Sequence, residues 1–123
     1  MNGLASTLRD ATDALTPVSA TPRLDAELLM AHALGIDRSA MLLRMHDLAV
    51  PAGFAAMLAR RVADEPVAYI TEMQAFWDLN LHVTPDVLIP RADSETVIEV
   101  AMAAFAGRDA PARILDLGTG SGA

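Results

Sequence analysis

The residues best suited to chemistry lie at Asp116-Leu117-Gly118-Thr119-Gly120-Ser121-Gly122-Ala123, directly behind the apolar run Arg113-Ile114-Leu115. A glycine-rich turn after a strand lets backbone approach a ligand closely. Its free N–H groups, together with the N-terminus of a following helix, favour an anionic group. Arg91 follows Pro90 at the end of a short apolar run and can bind a carboxylate. Its position alone leaves equally open a surface arginine paired with Glu95, one turn on. The other polar residues gather into nothing comparable. His32, His46 and His82 have no metal-like spacing with one another or with carboxylates, so no metal site is expected. His32, among apolar neighbours, reads as a packing histidine. Asp64-Glu65 reads as a helix-end charge pair with no acid–base partner, and Arg60-Arg61 as a solvated face. Phe76-Trp77 reads as core and interface filler in preference to a stacking platform. Cysteine is absent, which excludes disulfides, thiolate ligands and thiol nucleophiles. No residue is assigned a catalytic role.

Two cofactor classes use such a turn. Gly118, Gly120 and Ala123 satisfy the dinucleotide pattern G-x-G-x-x-G/A. Asp116, Gly118, Gly120 and Gly122 satisfy the acidic-x-G-x-G-x-G turn of S-adenosylmethionine-dependent methyltransferases. The glycines fit both. Asp116, two residues before the first glycine, and Gly122 favour the second. The plainer alternative is a flexible tail whose glycines merely break structure; the apolar run before them argues for a nucleotide-type site.

These residues need elements to hold them. Leu4, Leu8, Ala11 and Leu15 fall at helical spacing, predicting a helix over 4–15 that Pro17 ends. Thr21 can cap a second helix that has Pro22 at its first position, Leu24, Leu28, Ala31 and Leu34 along one face and Gly35 as its stop. Asp37 can cap a short helix holding Met41, Leu42 and Met45. Pro51 opens another with Phe54, Met57, Leu58 and Val62, and Val67–Ile70 suggests a fifth. The period then changes. Phe76–Val83 alternates as a strand, Thr84-Pro85-Asp86 is a turn, and Val87-Leu88-Ile89 is a second strand, together a β-hairpin. Asp93 or Ser94 can cap a helix with Val97, Ala101 and Phe105 on one face, closed by Gly107. Arg113–Leu117 reads as a buried parallel strand. A lone parallel strand makes no sheet, so residues 108–123 are expected to be poorly ordered or to pair with another chain.

The balance of residues fits this outline. The 123 residues are 53% apolar but only 4% aromatic, so Ala, Leu, Val and Met must build the core; there are 24 Ala, and all nine basic side chains are Arg. The net charge of −7 argues against a diffuse nucleic-acid footprint. No apolar run reaches the roughly 18 residues needed to span a bilayer. The N-terminus lacks the pattern of a secretory signal, so a soluble, cytoplasmic protein is the default expectation.

The series Glu65-Pro66-Val67-Ala68-Tyr69-Ile70, Phe76-Trp77, Val87-Leu88-Ile89-Pro90-Arg91, Glu95 and Ile114–Ala123 resembles the release-factor glutamine methyltransferases of the HemK/PrmC type. Ala26-Glu27-Leu28-Leu29 and Ala31-His32-Ala33-Leu34-Gly35 extend the likeness over nearly the whole chain. The resemblance implies a mainly α N-terminal helical bundle, then a β-hairpin and the first helix and strand of a Rossmann-like α/β methyltransferase domain. It divides the chain into a recognition bundle (1–72), a hairpin linker (73–92) and the start of the methyltransferase domain (93–123). It implies methyl transfer from S-adenosyl-L-methionine to the glutamine amide of the Gly-Gly-Gln loop in peptide chain release factors. Asp116, Gly118, Thr119, Gly120, Ser121 and Gly122 would then border the cofactor, with Arg91 and Ser94 near its carboxylate. The likeness favours that role for Arg91 over a surface pair.

Departures are local. The family usually reads Ile-Pro-Arg-Pro-Glu-Thr-Glu, and here Ile89-Pro90-Arg91-Ala92-Asp93-Ser94-Glu95 stands. Where a glycine commonly follows the Tyr-Ile-x stretch, this chain has Glu72. The family's Asn-Pro-Pro-Tyr signature, which orients the glutamine, lies beyond the glycine-rich turn and is not among these residues, so the 123 residues alone are expected to be inactive, a half-site for the cofactor. Two other readings are kept: a release-factor-binding module without catalysis, and part of a nicotinamide-dependent oxidoreductase. Self-association through the unpaired strand is a further expectation.

Overall fold

The structure, a computed structural model, describes residues 3–123. The chain divides between Thr71 and Glu72 into two compact units. The first is helical: α1 (Leu4–Leu15), α2 (Pro22–Leu34), α3 (Arg38–Leu43), α4 (Phe54–Val62) and α5 (Val67–Thr71). The second holds β1 (Met73–Phe76), β2 (Leu79–His82), a 3-10 turn at Ala92–Ser94 and α6 (Glu95–Phe105). The described residues are thus mainly helical with one antiparallel two-stranded hairpin.

The stripe expected on α1 is the stripe observed: Leu4, Leu8, Ala11 and Leu15 are all buried. They meet Ala26, Leu29, Met30 and Ala31 of α2, Met41 of α3, Phe54 of α4 and Ile70 of α5 in one core. Gly35 ends α2 with φ +69, and its N–H donates to the Ala31 and His32 carbonyls. Left-handed backbone is cheap only for glycine, so the stop signal does what its chemistry predicts. The helix expected to open at Pro51 starts three residues later, after a turn in which Phe54 N–H donates to the Pro51 carbonyl. Met45, placed on the third helix, lies past its end and is half-buried against the core.

The apolar face read for α2 is buried only in part: Ala31 and Leu34 meet the core. Leu24 and Leu28 are 39% and 37% exposed, whereas Asp25 and Glu27 are buried at 7% and 4%. The reason is the position of α2, which touches each of the other four helices of its unit. A helix packed on several sides has no single apolar stripe, and two carboxylates fall inside. They are tolerated because each is bonded. Asp25 Oδ2 accepts from the Ser19 hydroxyl at 2.6 Å and from Arg61 Nε at 2.9 Å, and Oδ1 accepts from the Thr21 hydroxyl at 3.1 Å. Thr21 therefore starts the helix without capping it by its side chain. Glu27 accepts from Arg23 Nε and, at 2.7 Å, from Arg38 Nε. A buried polar group costs free energy unless so bonded.

This network also corrects, for Arg61 alone, the reading of Arg60-Arg61 as a solvated face; the Arg60 side chain is 48% exposed, as that reading expects. The Arg61 side chain is only 12% exposed and donates to Asp25 and to the Val18 carbonyl, and Arg60 pairs with Glu65. Asp64 and Glu65 accordingly have partners: Arg61 for the first at 3.4 Å and Arg60 for the second. His32, expected to pack, is exposed.

The hairpin exists, but in another register. It is formed by Met73–Phe76 and Leu79–His82, with Phe76 opposite Leu79 and Met73 opposite His82. Val87-Leu88-Ile89, expected as the second strand, is not a strand. The loop is Trp77-Asp78, and Trp77 carries φ +56. A two-residue hairpin loop needs positive φ in its centre, and an indole there gives no sequence signal for it. The Thr84-Pro85-Asp86 turn does form, closed by Val87 N–H on the Thr84 carbonyl.

The strand expected over Arg113–Leu117 is also absent. Among the described residues the hairpin is the only sheet, so this segment has no strand to pair with; Ile114, Leu115 and Leu117 are 76–81% exposed. Helix α6 forms as expected after a 3-10 turn. Neither Asp93 nor Ser94 makes a side-chain capping bond, and no α6 residue is fully buried.

Candidate functional site

Every residue of the candidate site belongs to the second unit. A cavity of about 590 Å³ is lined by Phe76, Leu88, Ile89, Pro90, Arg91, Ser94, Val97, Asp116, Gly118, Thr119, Gly120, Ser121 and Ala123. Ligand pockets commonly enclose about 300–1,000 Å³. Four segments contribute: the last residue of β1, the extended run before the 3-10 turn, the first turns of α6, and the glycine-rich stretch. Of the eight residues singled out from sequence, seven line the cavity; Gly122 does not.

Gly118, Gly120 and Gly122 have φ of +68, +54 and +89, and Gly122 N–H closes a turn on the Thr119 carbonyl at 2.8 Å. A Cβ at any of them would meet nothing within 4 Å. Glycine is required here by backbone conformation, and space is not the constraint. Gly122 therefore shapes the turn from outside the cavity wall.

The Arg91–Glu95 surface pair does not form. Glu95 Oε1 instead accepts the backbone N–H of Trp77 at 2.6 Å. Among the described residues, no carboxylate lies within salt-bridge distance of Arg91, which lines the cavity. Ser94 is at the N-terminal side of α6, where partial positive charge from the helix adds to that of Arg91. Asp116 is the carboxylate among the lining residues, and Ser94, Thr119 and Ser121 supply hydroxyls. Phe76, Leu88, Ile89 and Val97 supply the apolar part. The arrangement can take a molecule with a carboxylate, hydrogen-bonding groups and an apolar body.

Sequence reasoning left Phe76 and the Leu88–Pro90 run out of the site. Phe76 was assigned to filling, and it is buried at 4% exposure while still facing the cavity. Its neighbour Trp77 does not line the cavity. Met73-Gln74-Ala75-Phe76 does not alternate, so the sequence carries no signal for the strand that ends at Phe76. Among the described residues no group of three or more His, Asp or Glu gathers in a metal-binding arrangement. No helix of the described residues is long and apolar enough to cross a membrane.

A five-helix bundle followed in sequence by a hairpin and a helix with a glycine-rich turn defines the class: a helical N-terminal unit and a second unit that holds the glycine-rich stretch. Residues 6–71 match the family model described as the PrmC N-terminal domain, and the chain belongs to that family. It is similar to proteins named release factor glutamine methyltransferase. One from Burkholderia pseudomallei (strain K96243) is 47% identical over 103 residues, covering 81% of this chain and 36% of that protein. One from Coxiella burnetii (strain RSA 493 / Nine Mile phase I) is 42% identical, covering 100% of this chain and 45% of the other. One from Escherichia coli (strain K12) is 42% identical, covering 94% and 42%. The chain thus spans less than half the length of these curated relatives.

Proposed function

We propose that this chain is the N-terminal part of an S-adenosyl-L-methionine-dependent methyltransferase that modifies the Gly-Gly-Gln glutamine of peptide chain release factors in the cytoplasm. The observation that carries the reading is the convergence of Arg91, Ser94, Asp116 and the Gly118–Ser121 turn on one cavity, in a chain 42–48% identical to proteins of that name. The donor set suits the cofactor. Arg91 and Ser94 would hold its carboxylate by charge-assisted and hydroxyl bonds. Asp116 would accept from its amino group or brace the turn. The apolar wall would take the uncharged body. When bound, the cofactor supplies an electrophilic methyl group.

The residues present bind and orient; none is assigned the task of holding the glutamine amide in line with that methyl. Residues 1–72 would form the recognition bundle, the hairpin region 73–92 the linker, and 93–123 the start of a Rossmann-like domain. The apolar side chains of Ile114, Leu115 and Leu117, so exposed, would seek a strand partner, including a second copy. No nucleic-acid contact is part of this reading.

Titration calorimetry tests it. S-adenosylmethionine is expected to bind residues 1–123 more weakly than micromolar, R91A to weaken it further, and release factor to stay unmethylated by these residues alone. Micromolar binding would overturn the half-site claim, and binding indifferent to R91A and D116N would overturn the site. Retention of release factor by residues 1–72 without any cofactor effect would favour the binding-module reading.

A further inference from the structure

We infer that Glu95 is a positioning residue for this cavity: by accepting the Trp77 N–H it ties the hairpin loop to the first turn of α6 and sets the Phe76 wall against Arg91 and Ser94. The bond spans 18 residues of sequence at 2.6 Å. Trp77 has φ +56, a conformation a bulky side chain adopts only when something holds it. In the Trp77-Asp78 loop the Trp77 N–H stands outside the ladder, and the Glu95 carboxylate gives it a charged acceptor. The chain neighbours of the two bonded groups are the cavity's own residues. Phe76 immediately precedes Trp77, Ser94 immediately precedes Glu95, and Arg91 and Val97 flank it within a turn. One hydrogen bond therefore fixes two walls at once.

The plain alternative is that Glu95 serves only as an acidic residue at a helix start, favoured there by the helix dipole. The two roles separate under substitution. Glutamine keeps the acceptor oxygen and loses the charge, and alanine loses both. The functional half of the inference rests on the cofactor reading above; the structural half does not.

The experiment compares residues 1–123 as wild type, E95Q and E95A by NMR. It reads Trp77 amide exchange, the Phe76 ring shifts and titration with S-adenosylmethionine into the millimolar range. Loss of a hydrogen bond to a charged acceptor is expected to speed Trp77 exchange about tenfold in E95A and to raise the cofactor Kd by about tenfold, with E95Q within about threefold of wild type on both. The chain has one tryptophan and one tyrosine, so emission excited selectively at the indole reports the same loop. Unchanged Trp77 exchange in E95A, or E95Q falling with E95A, overturns the tie. Normal cofactor affinity in E95A with altered Trp77 exchange overturns its positioning role. Wild type binding no cofactor overturns the cofactor reading, and with it the positioning role, while the tie is still decided by exchange, emission and the Phe76 shifts.

Discussion

Arg61 Nε lies 2.9 Å from Asp25 Oδ2, and both side chains are nearly closed to solvent at 12% and 11% exposure. The pair joins α4 to α2 across 36 residues of sequence. Arg61 also reaches the Val18 and Glu65 carbonyls, so it pins the connections on both sides of that joint. R61A is expected to lower stability by about 2–4 kcal/mol, because a mostly buried carboxylate is left with two hydroxyls only. The matched change D25L/R61M should recover most of that loss, since removing both charges leaves none unpaired. Urea unfolding followed by circular dichroism measures both, and a loss in R61A as small as about 0.5 kcal/mol would show the pair to be a surface-like contact.

Glu27 gives the first unit an acid limit. Burial works to raise its carboxyl, but hydrogen bonds and charge from Arg23 and Arg38 prevail and hold it below its ordinary value of 4.5. A carboxyl depressed by folding adds stability above its unfolded value, and that stability drains away as pH falls through the lower folded value. The window therefore lies below about pH 4.5. Denaturation midpoints taken from pH 7 down to pH 3 should fall less steeply in E27Q than in wild type (both endpoints about the usual carboxylate range). Equal slopes would assign the acid limb elsewhere. Glu65 is shifted the same way by Arg60, but it is only half-buried and its partner is exposed, so the pair adds little.

Glu72 stands where a left-handed residue is required, with φ +59, and its carbonyl accepts from Val83 N–H. This accounts for the glycine usual at that place. E72G should raise stability by about 0.5–1 kcal/mol, the strain relieved less the added freedom of the unfolded chain. E72A keeps a Cβ and should gain nothing. The Glu72–His82 contact at 4.0 Å joins two exposed groups, so its loss costs little. Thermal unfolding of the three proteins checks the order; E72A as stable as E72G would deny the strain.

Gly120→Ala tests the turn itself. An alanine at φ +54 has room for its Cβ but not a comfortable backbone, at a cost of about 1–2 kcal/mol. The site has no large core to lose, so the effect should appear as weaker cofactor binding while the helical unit melts as before. Affinity equal to wild type would mean the turn's conformation is irrelevant to the site.

Much of the helical unit was legible because its signals are local. Spacing of three and four along α1, proline at the start of α2 and glycine at its end act within one or two turns. The cavity was legible in part: the glycine-rich stretch announces itself by residue type, whereas Arg91 is singled out over a surface pair only by the family likeness. Phe76 did not, because its assignment depended on a strand register that turns on Trp77 adopting positive φ.

What the sequence determined by itself was the element order through α5, the position of α6 and the residue types of the glycine-rich turn, since each follows from near-neighbour sterics and hydrogen bonding. Tertiary structure alone decided that Asp25 and Glu27 lie inside α2's packing while Leu24 and Leu28 face out, and that Arg61 is the partner of Asp25 instead of a solvated charge. It alone placed the hairpin at residues 73–82 and gave Glu95 to Trp77 instead of Arg91. The physical reason is the same in each case. Burial of a charge and the register of a strand are settled by which distant groups can satisfy them, and no local pattern carries that information.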